Sequence, residues 1–300
     1  MKILVVGSGG REHAIIKKLK ENKDIKKIYA LPGNGGIAAD AECVNIGAMD
    51  IEGVVKFAKE NPVDMVFVAP DDPLAAGMVD ALEKEGIRAF GPRQCAAIIE
   101  GSKVFSKELM KKYNIPTAKY ETFTELDSAL SYIRAQGAPI VVKADGLALG
   151  KGVVVASTVE EAKQAVREMM EDKKFGASGS TVVIEECMVG PEVTVLAFCD
   201  GEHLVPMLSS QDHKRAYDGN KGPNTGGMGA FCPSPNYTPE IAEFCQKNIF
   251  IPTVEALKAE GVTVTEVNDK TPWIEACQDI IKTSTKGLED VYQQILDMKP

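Results

Sequence analysis

The stretch KILVVGSGGREHAIIKKLK, residues 2–20, joins a short apolar run to a glycine-rich turn and then to a helical pattern. Residues 3–6 are consecutive apolar side chains, which is typical of a strand that is buried on both faces. A charged and polar segment follows at once, and we predict a helix over 11–21. A strand that enters a helix through a glycine turn is the building unit of parallel sheets that carry helices on both faces.

The same alternation continues as far as residue 90. We predict further strands at 27–30, 65–69 and 87–90, with helices at 51–60 and 74–85. Gly91-Pro92 then interrupts the pattern, and we place a domain boundary near residue 101. The fold class predicted for this first domain is α/β, with a Rossmann-like parallel sheet.

A second series of elements follows the boundary. We predict helices at 102–113, 125–136, 158–171 and through most of 239–260, and strands at 119–123, 140–144, 152–156, 181–186, 193–199 and 203–208. The polar, glycine-rich segment 211–229 is predicted to be a long irregular loop, a kind of segment that is usually functional or disordered. At the end of the chain we predict a strand at 262–266 and helices at 273–281 and 288–298.

The composition indicates a globular protein and argues against several classes of partner. The chain has 300 residues, a net charge of −9 and a pI near 5.1, so nucleic acid and anionic membranes are not expected partners. No apolar stretch reaches the length of about 18 residues that a membrane-spanning helix needs. The seven cysteines are scattered and form no CxxC pair, which favours a reducing, cytoplasmic location over a disulfide framework or a zinc site.

The turn Gly7–Glu12 could bind an anion, because it opens a helix directly after a strand. It also resembles a dinucleotide-binding fingerprint, but Glu12 stands at the third glycine position, where we expect it to block close packing of helix on sheet. The second strand ends in Leu31-Pro32-Gly33 without the acidic residue that a dinucleotide site requires. A phosphate or small-anion site, a structural turn and a nicotinamide site therefore all stay open.

A second motif, IVVKADGLALGKGVVVAS at 140–157, places Lys143 at the end of a strand. The loop that follows is rich in glycine and contains Gly146, Gly150, Lys151 and Gly152. It is not a Walker A loop, because only three residues separate its first two glycines and a strand follows. Its N–H groups and lysine could close over triphosphate oxygens as a lid. The alternative is a plain hairpin with solvated lysines.

The third motif, VVIEECMVGPEVTVLAF at 182–198, delivers Glu185 and Glu186 to opposite faces of a strand. One of the two can face a pocket, the backbone between Glu186 and Met188 could pair with an adenine edge, and Glu192 could take a ribose hydroxyl. The alternative is an edge strand with exposed acidic side chains.

The fourth motif, SSQDHKRAYDGNKGPNTGGMGA at 209–230, combines charged side chains with bare glycine backbone. It concentrates the charged or polar residues Asp212, His213, Lys214, Arg215 and Asp218 with Asn224 and Thr225. Charged donors beside exposed backbone suit a phosphorylated substrate. The alternative is a solvated surface loop.

Together these motifs resemble the glycinamide ribonucleotide synthetases, or phosphoribosylamine–glycine ligases, of the ATP-grasp superfamily. The matching runs are GSGGREHA near the start, LPGNGG at 31–36, FGPRQCAAIIEGSK at 90–103, IPTAKYETF at 115–123, VVKADGLALGKGVVV at 141–155, VIEECMVGPEVT at 183–194 and SQDHKRAYDGNKGPNTGGMGA at 210–230. They follow the family order over about residues 1–260.

The resemblance implies an N-terminal substrate-binding domain at 1–101 and an ATP-grasp domain at 102–260, with a lid subdomain at about 120–190. It also implies ATP-dependent ligation of glycine to 5-phosphoribosylamine in de novo purine biosynthesis, which yields glycinamide ribonucleotide, ADP and phosphate. Glycine would first be activated as an acyl phosphate. ATP and Mg2+ (or Mn2+) are the implied cofactors.

The resemblance further assigns site residues. Catalysis would involve Lys143, Asp212 and Arg215. ATP would be bound by Lys103, Lys143, Gly146, Gly150, Lys151, Gly152, Glu185, Glu186, Met188 and Glu192. Phosphoribosylamine would be bound by Gly9, Gly10, Arg11, Glu12, Asp212, Lys214, Asn224, Thr225, Gly226 and Gly227. Cys187 and Pro191 depart from the family's Phe and Glu, and we expect them to adjust the adenine pocket.

The end of the chain departs further from the family pattern. Family members continue through a strand with E-x-N and then R-F-G-D-P-E, which supply the metal ligands. Here Glu266-Val267-Asn268 imitates E-x-N, but Lys270 and Thr271 follow in place of the family's R-F. We therefore expect 261–300 to be an unmatched tail, the ATP-grasp domain to be truncated and the metal ligands to be unassigned. A non-catalytic ATP-binding fragment and a dinucleotide-dependent oxidoreductase are the alternatives.

Overall fold

The computed structural model describes residues 1–147, 152–199, 204–219, 221–225 and 227–262. The chain separates into two compact units. One contains Met1–Thr194 and Ser209–Val262, and the described residues of the other are 195–199 and 204–208. The strand and helices predicted beyond residue 262 lie outside the described residues. No helix in the described part of the chain is long and apolar enough to cross a membrane.

The first hundred residues form a parallel sheet with helices between its strands. In chain order the elements are β1 Lys2–Gly7, α1 Gly10–Lys20, β2 Lys27–Pro32, β3 Glu42–Cys43, α2 Ile51–Glu60, β4 Met65–Val68, α3 Asp71–Ala75, α4 Met78–Lys84, β5 Ala89–Phe90 and α5 Gln94–Gly101. The strand order is β3-β2-β1-β4-β5, and all the pairs are parallel. Ile3–Val6 in β1 are fully buried, which confirms the predicted Rossmann-like sheet.

Three details of this sheet differ from the prediction. The helix predicted over 74–85 is divided into α3 and α4, because Gly77 adopts a left-handed conformation with φ of 86°. Strand β3 has only two residues, too few to show alternation. Helix α5 is not predicted, because Gly91-Pro92 shortly before it interrupts the strand–helix pattern.

A four-stranded antiparallel sheet follows in chain order. Its elements are α6 Lys103–Lys112, β6 Tyr120–Phe123, α7 Leu126–Gln136, β7 Ile140–Ala144, β8 Val153–Ala156, α8 Val159–Met170 and β9 Val182–Glu186. The strand order is β6-β9-β7-β8. Alternate residues of β7 and β9 pack with α7 and α8 in one apolar cluster, among them Val142 and Ile184. The intervening residues, including Lys143 and Glu185, therefore lie on the opposite face.

The described part of the second unit is the hairpin of β10 Ala197–Cys199 and β11 Leu204–Pro206. Both strands are shorter than the predicted 193–199 and 203–208. In the first unit, Thr194 and Ser210 form an isolated β-bridge instead of continuing a strand.

The segment 211–229 is more regular than predicted. It contains β12 Gln211–Asp212, which pairs with β15 Ala230–Phe231, and β13 Arg215–Tyr217, which pairs with β14 Lys221–Asn224. These ladders of two to four residues are too short to leave a periodic pattern in a glycine-rich sequence. The predicted helical region follows as α9 Pro239–Cys245, a π-helical turn and α10 Ile251–Ala259, whose Ala256 packs beside Leu109 of α6.

Candidate functional site

Lys143 of β7 and Glu185 of β9 form an ion pair on the face of the antiparallel sheet that α7 and α8 leave free. The register pairs Val141 with Glu185 and Lys143 with Val183, so the two charged residues are diagonal neighbours on one face. Lys143 Nζ lies 2.9 Å from Glu185 Oε2. Glu185 is only 5% exposed, whereas 27% of the Lys143 side-chain surface is exposed. The pair thus joins a buried carboxylate to a partly open ammonium.

Helix α6 brings a second lysine to the same carboxylate. Lys107 Nζ lies 3.4 Å from Glu185 Oε2, and it donates a hydrogen bond of 2.7 Å to Thr117 Oγ1. Lys107 is 6% exposed. Burial lowers the pKa of the Lys107 ammonium below its usual value, and the Glu185 carboxylate opposes that shift. Sequence reasoning missed Lys107, although its spacing of four residues from Lys103 predicts one helix face.

Lys103 and Asp145 connect the start of α6 to the end of β7. Lys103 Nζ donates to the Gly146 carbonyl, and Asp145 Oδ1 accepts from Ser102 Oγ and from Val104 N, each at 3.1 Å. Burial lowers the pKa of Lys103, with Asp145 opposing the shift. The aligned N–H groups at the start of α6 therefore already hold one carboxylate.

Gly146 is required by the conformation of this connection. Its φ is 87°, and a Cβ added there would lie 2.6 Å from Ser178 Oγ. Gly152 is buried, and its carbonyl accepts from Ala144 N at 2.8 Å. The remaining predicted lid residues, Gly150 and Lys151, lie outside the described residues.

The charges of this cluster suit an anionic ligand. Lys103, Lys107 and Lys143 supply three ammonium groups against the carboxylates of Asp145 and Glu185. Glu185 Oε1 is buried and has no hydrogen-bond partner in the described part of the chain. Because buried polar atoms are nearly always satisfied, that oxygen marks a place where a ligand donor fits. A phosphorylated ligand that also carries N–H or O–H donors matches both features.

The other predicted nucleoside-pocket residues are more exposed. Glu186 is exposed, and its Oε1 accepts from Lys119 N at 2.9 Å. Met188 is 72% exposed. Glu192 forms an ion pair with Lys214, which connects the third motif to the fourth.

The turn after β1 is filled by its own glutamate. Glu12 is 7% exposed, and its Oε2 accepts from Gly9 N at 2.5 Å. A Cβ added to Gly7 would lie 2.4 Å from Glu12 Cγ. The expectation that Glu12 blocks close packing is wrong, because its side chain folds back over the turn and Ile16 packs with Ile3 in the core. The Gly9 N–H that was a candidate for phosphate is therefore already occupied by a carboxylate.

The other two residues that are predicted to bind substrate at this turn are open. Arg11 is exposed, and a Cβ added to Gly10 would meet nothing within 4 Å. Asn34 joins the turn to the loop after β2, because its Nδ2 donates to Ser8 O at 2.7 Å. Nearby, Asp40 accepts from His13 Nε2 and from Lys20 Nζ, each at 2.8 Å, an arrangement that sequence reasoning missed.

In the fourth motif, the predicted residues form local contacts. Lys214 Nζ lies 3.8 Å from Asp212 Oδ1, and an Arg215 guanidinium nitrogen donates to Gly222 O at 2.7 Å. Thr225 Oγ1 donates to Lys214 O at 2.8 Å and accepts from Gly227 N at 3.1 Å. Asn224 belongs to β14, and Gly226 lies outside the described residues.

The structure thus brings the second and third motifs together, and it joins the third to the fourth through Glu192. Between described residues, no hydrogen bond or ion pair connects the Gly7–Glu12 turn to these clusters. Within the same residues, no three His, Cys, Asp or Glu side chains are grouped so that they could hold a metal ion. The metal-ligand candidates Glu266 and Asn268 lie outside the part that the structure describes.

Comparison with known proteins identifies both parts of the chain. Residues 1–100 match the family model described as the phosphoribosylglycinamide synthetase N domain. Residues 101–267 match the model described as the ATP-grasp (A) domain of the same synthetase. The domain limits at 101 and 260 and the lid at about 120–190 stay predictions.

Curated relatives are similar over most of this chain but are longer. The phosphoribosylamine–glycine ligase of Streptococcus pyogenes serotype M6 is 53% identical over 262 residues, which cover 87% of this chain and 62% of the relative. The ligase of Halalkalibacterium halodurans is 50% identical over 267 residues, which cover 89% and 62%. The chain therefore spans about three fifths of the length of these relatives.

Solved structures agree on the fold. The crystal structure of phosphoribosylamine–glycine ligase from Thermotoga maritima has a TM-score of 0.73 and 28% identity, and the match covers 89% of this chain and 63% of that one. The biotin carboxylase domain of 2-oxoglutarate carboxylase from Hydrogenobacter thermophilus has a TM-score of 0.65 at 18% identity, over 88% of this chain and 58% of that domain, and shows the fold alone. The resemblance found in the motifs is confirmed, and the chain belongs to the phosphoribosylglycinamide synthetase family.

Proposed function

We propose that this chain contains the nucleotide-binding part of a ligase that joins glycine to 5-phosphoribosylamine and forms glycinamide ribonucleotide, ADP and phosphate. The relatives at 50–53% identity are phosphoribosylamine–glycine ligases, and the chain spans about three fifths of their length. The observation that carries the proposal is the partly buried cluster around Glu185, in which three lysines face two carboxylates.

ATP is the ligand that we assign to this cluster. Lys103 and Lys143 would contact its phosphates. The Lys103 ammonium lies beside the Asp145–Gly146 connection, and the Lys143 ammonium lies at the end of β7 that precedes the predicted lid. Glu185 Oε1 would accept from a donor of the nucleoside, and it lacks any other partner in the described residues. The predicted lid, Gly146–Gly152, would then cover the phosphates and exclude water.

The chemistry proceeds in two balanced steps. A glycine carboxylate oxygen attacks the terminal phosphorus of ATP, so that a P–O bond forms to glycine and the bond to ADP breaks. The amine of phosphoribosylamine then attacks the acyl carbon, phosphate leaves, and the amine loses one proton. Fixed ammonium groups neutralise the charge that builds on phosphate oxygens, and a closed site protects the acyl phosphate from hydrolysis.

Phosphoribosylamine is assigned to the fourth motif and to the turn after β1. Lys214 and Arg215 supply positive charge, and Asp212, Asn224, Thr225, Gly226 and Gly227 lie in the same motif. Because Glu12 already occupies the Gly9 N–H, we assign hydroxyl or amine groups of the substrate to that turn, with Gly10 and Arg11 beside it, and its phosphate to the fourth motif. Glycine and phosphoribosylamine are the proposed small-molecule partners.

Mg2+ (or Mn2+) belongs to the proposal as a charge-neutralising ion at the phosphates. Among the described residues, no three His, Cys, Asp or Glu side chains are grouped to hold it. The second candidate function is a fragment that binds ATP without turnover. The oxidoreductase alternative lacks support, since the family is one of ligases and Glu12 fills the turn that a dinucleotide would approach.

Two measurements on the purified chain test the proposal. Calorimetric titration should show saturable binding of ATP and none of NAD+. Phosphate release from ATP should then require glycine and phosphoribosylamine together, with omission of either substrate as the control. ATP binding without phosphate release would favour the fragment, and NAD+ binding without ATP binding would refute the proposal.

A further inference from the structure

Lys107 has no role in the proposed reaction, yet it is among the most buried charged residues in the described part of the chain. Its ammonium lies 3.4 Å from Glu185 Oε2, the same oxygen that Lys143 approaches at 2.9 Å. One carboxylate oxygen therefore has two lysine partners, while the other oxygen has no hydrogen-bond partner among the described residues. A single lysine would already neutralise the charge of Glu185.

The two lysines differ in how firmly they are held. Lys107 Nζ is fixed by Thr117 Oγ1 at 2.7 Å and approaches Ala118 O at 3.4 Å, so the segment between α6 and β6 holds it in place. It is also 5.3 Å from the Tyr120 ring. Lys143 has Glu185 as its hydrogen-bond partner among the described residues, and its side chain is partly open. Lys143 therefore loses fewer contacts than Lys107 when it leaves Glu185.

We propose that Lys107 is a positioning residue that remains the counterion of Glu185 when Lys143 moves to the phosphates of the nucleotide. This inference rests on the proposed function, since it requires that ATP binds beside Lys143. Without Lys107, Lys143 would be the one ammonium within ion-pair distance of Glu185 in the described residues. A nucleotide would then have to draw Lys143 away from a buried and otherwise unpaired carboxylate.

The proposal predicts how the effect of Lys107 depends on Glu185. Lys107→Met should weaken ATP binding by about 10-fold to 100-fold, the loss expected for one hydrogen bond between charged groups. Adenosine, which carries no phosphate, should bind within about twofold of wild type. In a Glu185→Gln background the carboxylate charge is absent and Lys143 is already released, so adding Lys107→Met should change ATP affinity by less than about threefold.

The experiment is calorimetric titration of ATP and adenosine into the whole chain and its variants. Lys107→Arg, which keeps the charge, should restore most of the affinity. Lys111→Met is the matched control, because Lys111 is an exposed lysine of the same helix, and it should leave both affinities unchanged. Thermal unfolding of each variant reports whether it is folded.

Each outcome decides the matter. An equal loss for ATP and adenosine, or a loss that persists undiminished in the Glu185→Gln background, would overturn the positioning role and leave a structural one. If Lys107→Met does not fold, the double variant is compared with Glu185→Gln alone, and a large further loss of ATP affinity overturns the proposal. Wild-type chain that binds no ATP would refute the proposed function itself, whereas ATP binding unaffected by Lys107→Met would refute this inference alone.

Discussion

Replacing Lys143 by alanine removes the ammonium that lies 2.9 Å from Glu185 Oε2 at the end of β7. The structure predicts a small effect on folding and a large effect on nucleotide binding. Glu185 keeps Lys107 as a partner, so its buried charge stays compensated. Because Lys143 is partly exposed, we expect the free energy of unfolding to fall by only about 1 kcal/mol.

Binding of ATP should weaken much more. A hydrogen bond between charged groups contributes about 1.5–3 kcal/mol, so Lys143→Ala should weaken ATP binding by about 10-fold to 150-fold. Calorimetric titration measures the affinity, and thermal unfolding confirms that the variant is folded. Lys163→Ala, which removes a lysine from α8 outside the cluster, is the control and should leave the affinity unchanged. A folded Lys143→Ala chain with wild-type ATP affinity would refute the assignment of this cluster to the nucleotide.

Three further predictions concern the turn, the Asp40 cluster and the lid. Glu12→Ala should lower the free energy of unfolding by about 0.5–2 kcal/mol, because it removes the hydrogen bond to Gly9 N at the start of α1. Arg11→Ala, at an exposed position, should leave the free energy of unfolding unchanged. Equal urea midpoints for wild type and Glu12→Ala would contradict this. Hydrogen bonds from Lys20, His13 and Lys17 hold the pKa of Asp40 well below its usual range. The charged Asp40 carboxylate therefore stabilises the fold, and the stability lost in Asp40→Asn should be largest at pH 7 and should shrink only as pH falls below about 4. Unfolding midpoints of the two chains across pH would test this. ATP should slow hydrogen exchange in peptides that span 146–152, and unchanged exchange would count against closure of a lid.

The parallel sheet and the four-stranded sheet could be predicted because their strands carry clear local patterns. The continuous apolar run at Ile3–Val6 indicates a fully buried strand, and alternation along β9 predicts that Glu185 and Glu186 lie on opposite faces. The ladders within 211–229 could not be predicted, since strands of two to four residues in a glycine-rich segment show no periodicity. Gly77 divides a helix through its backbone conformation, which hydrophobic spacing does not reveal.

The contacts of the candidate site depend on packing that the sequence does not contain. Lys143 and Glu185 meet because the register of β7 with β9 sets them diagonally, and strands about forty residues apart carry no signal of their register. Lys107 reaches the same carboxylate only once α6 packs on that face. The dinucleotide fingerprint predicts only that Glu12 disturbs the packing of helix on sheet. Its actual contact with Gly9 N follows from the three-residue spacing between the two residues, which is the spacing of a capping box.

The central claim is that glycine is activated by phosphoryl transfer from ATP and then captured by phosphoribosylamine. Its most direct test supplies the purified chain with ATP, phosphoribosylamine and glycine labelled with 18O in its carboxylate, and follows the released phosphate by mass spectrometry. Because one carboxylate oxygen leaves with the phosphoryl group, the account predicts one 18O atom in each phosphate formed. Phosphate without the label would contradict the acyl phosphate route, and ATP binding with no phosphate formed would contradict the ligase in favour of the nucleotide-binding fragment.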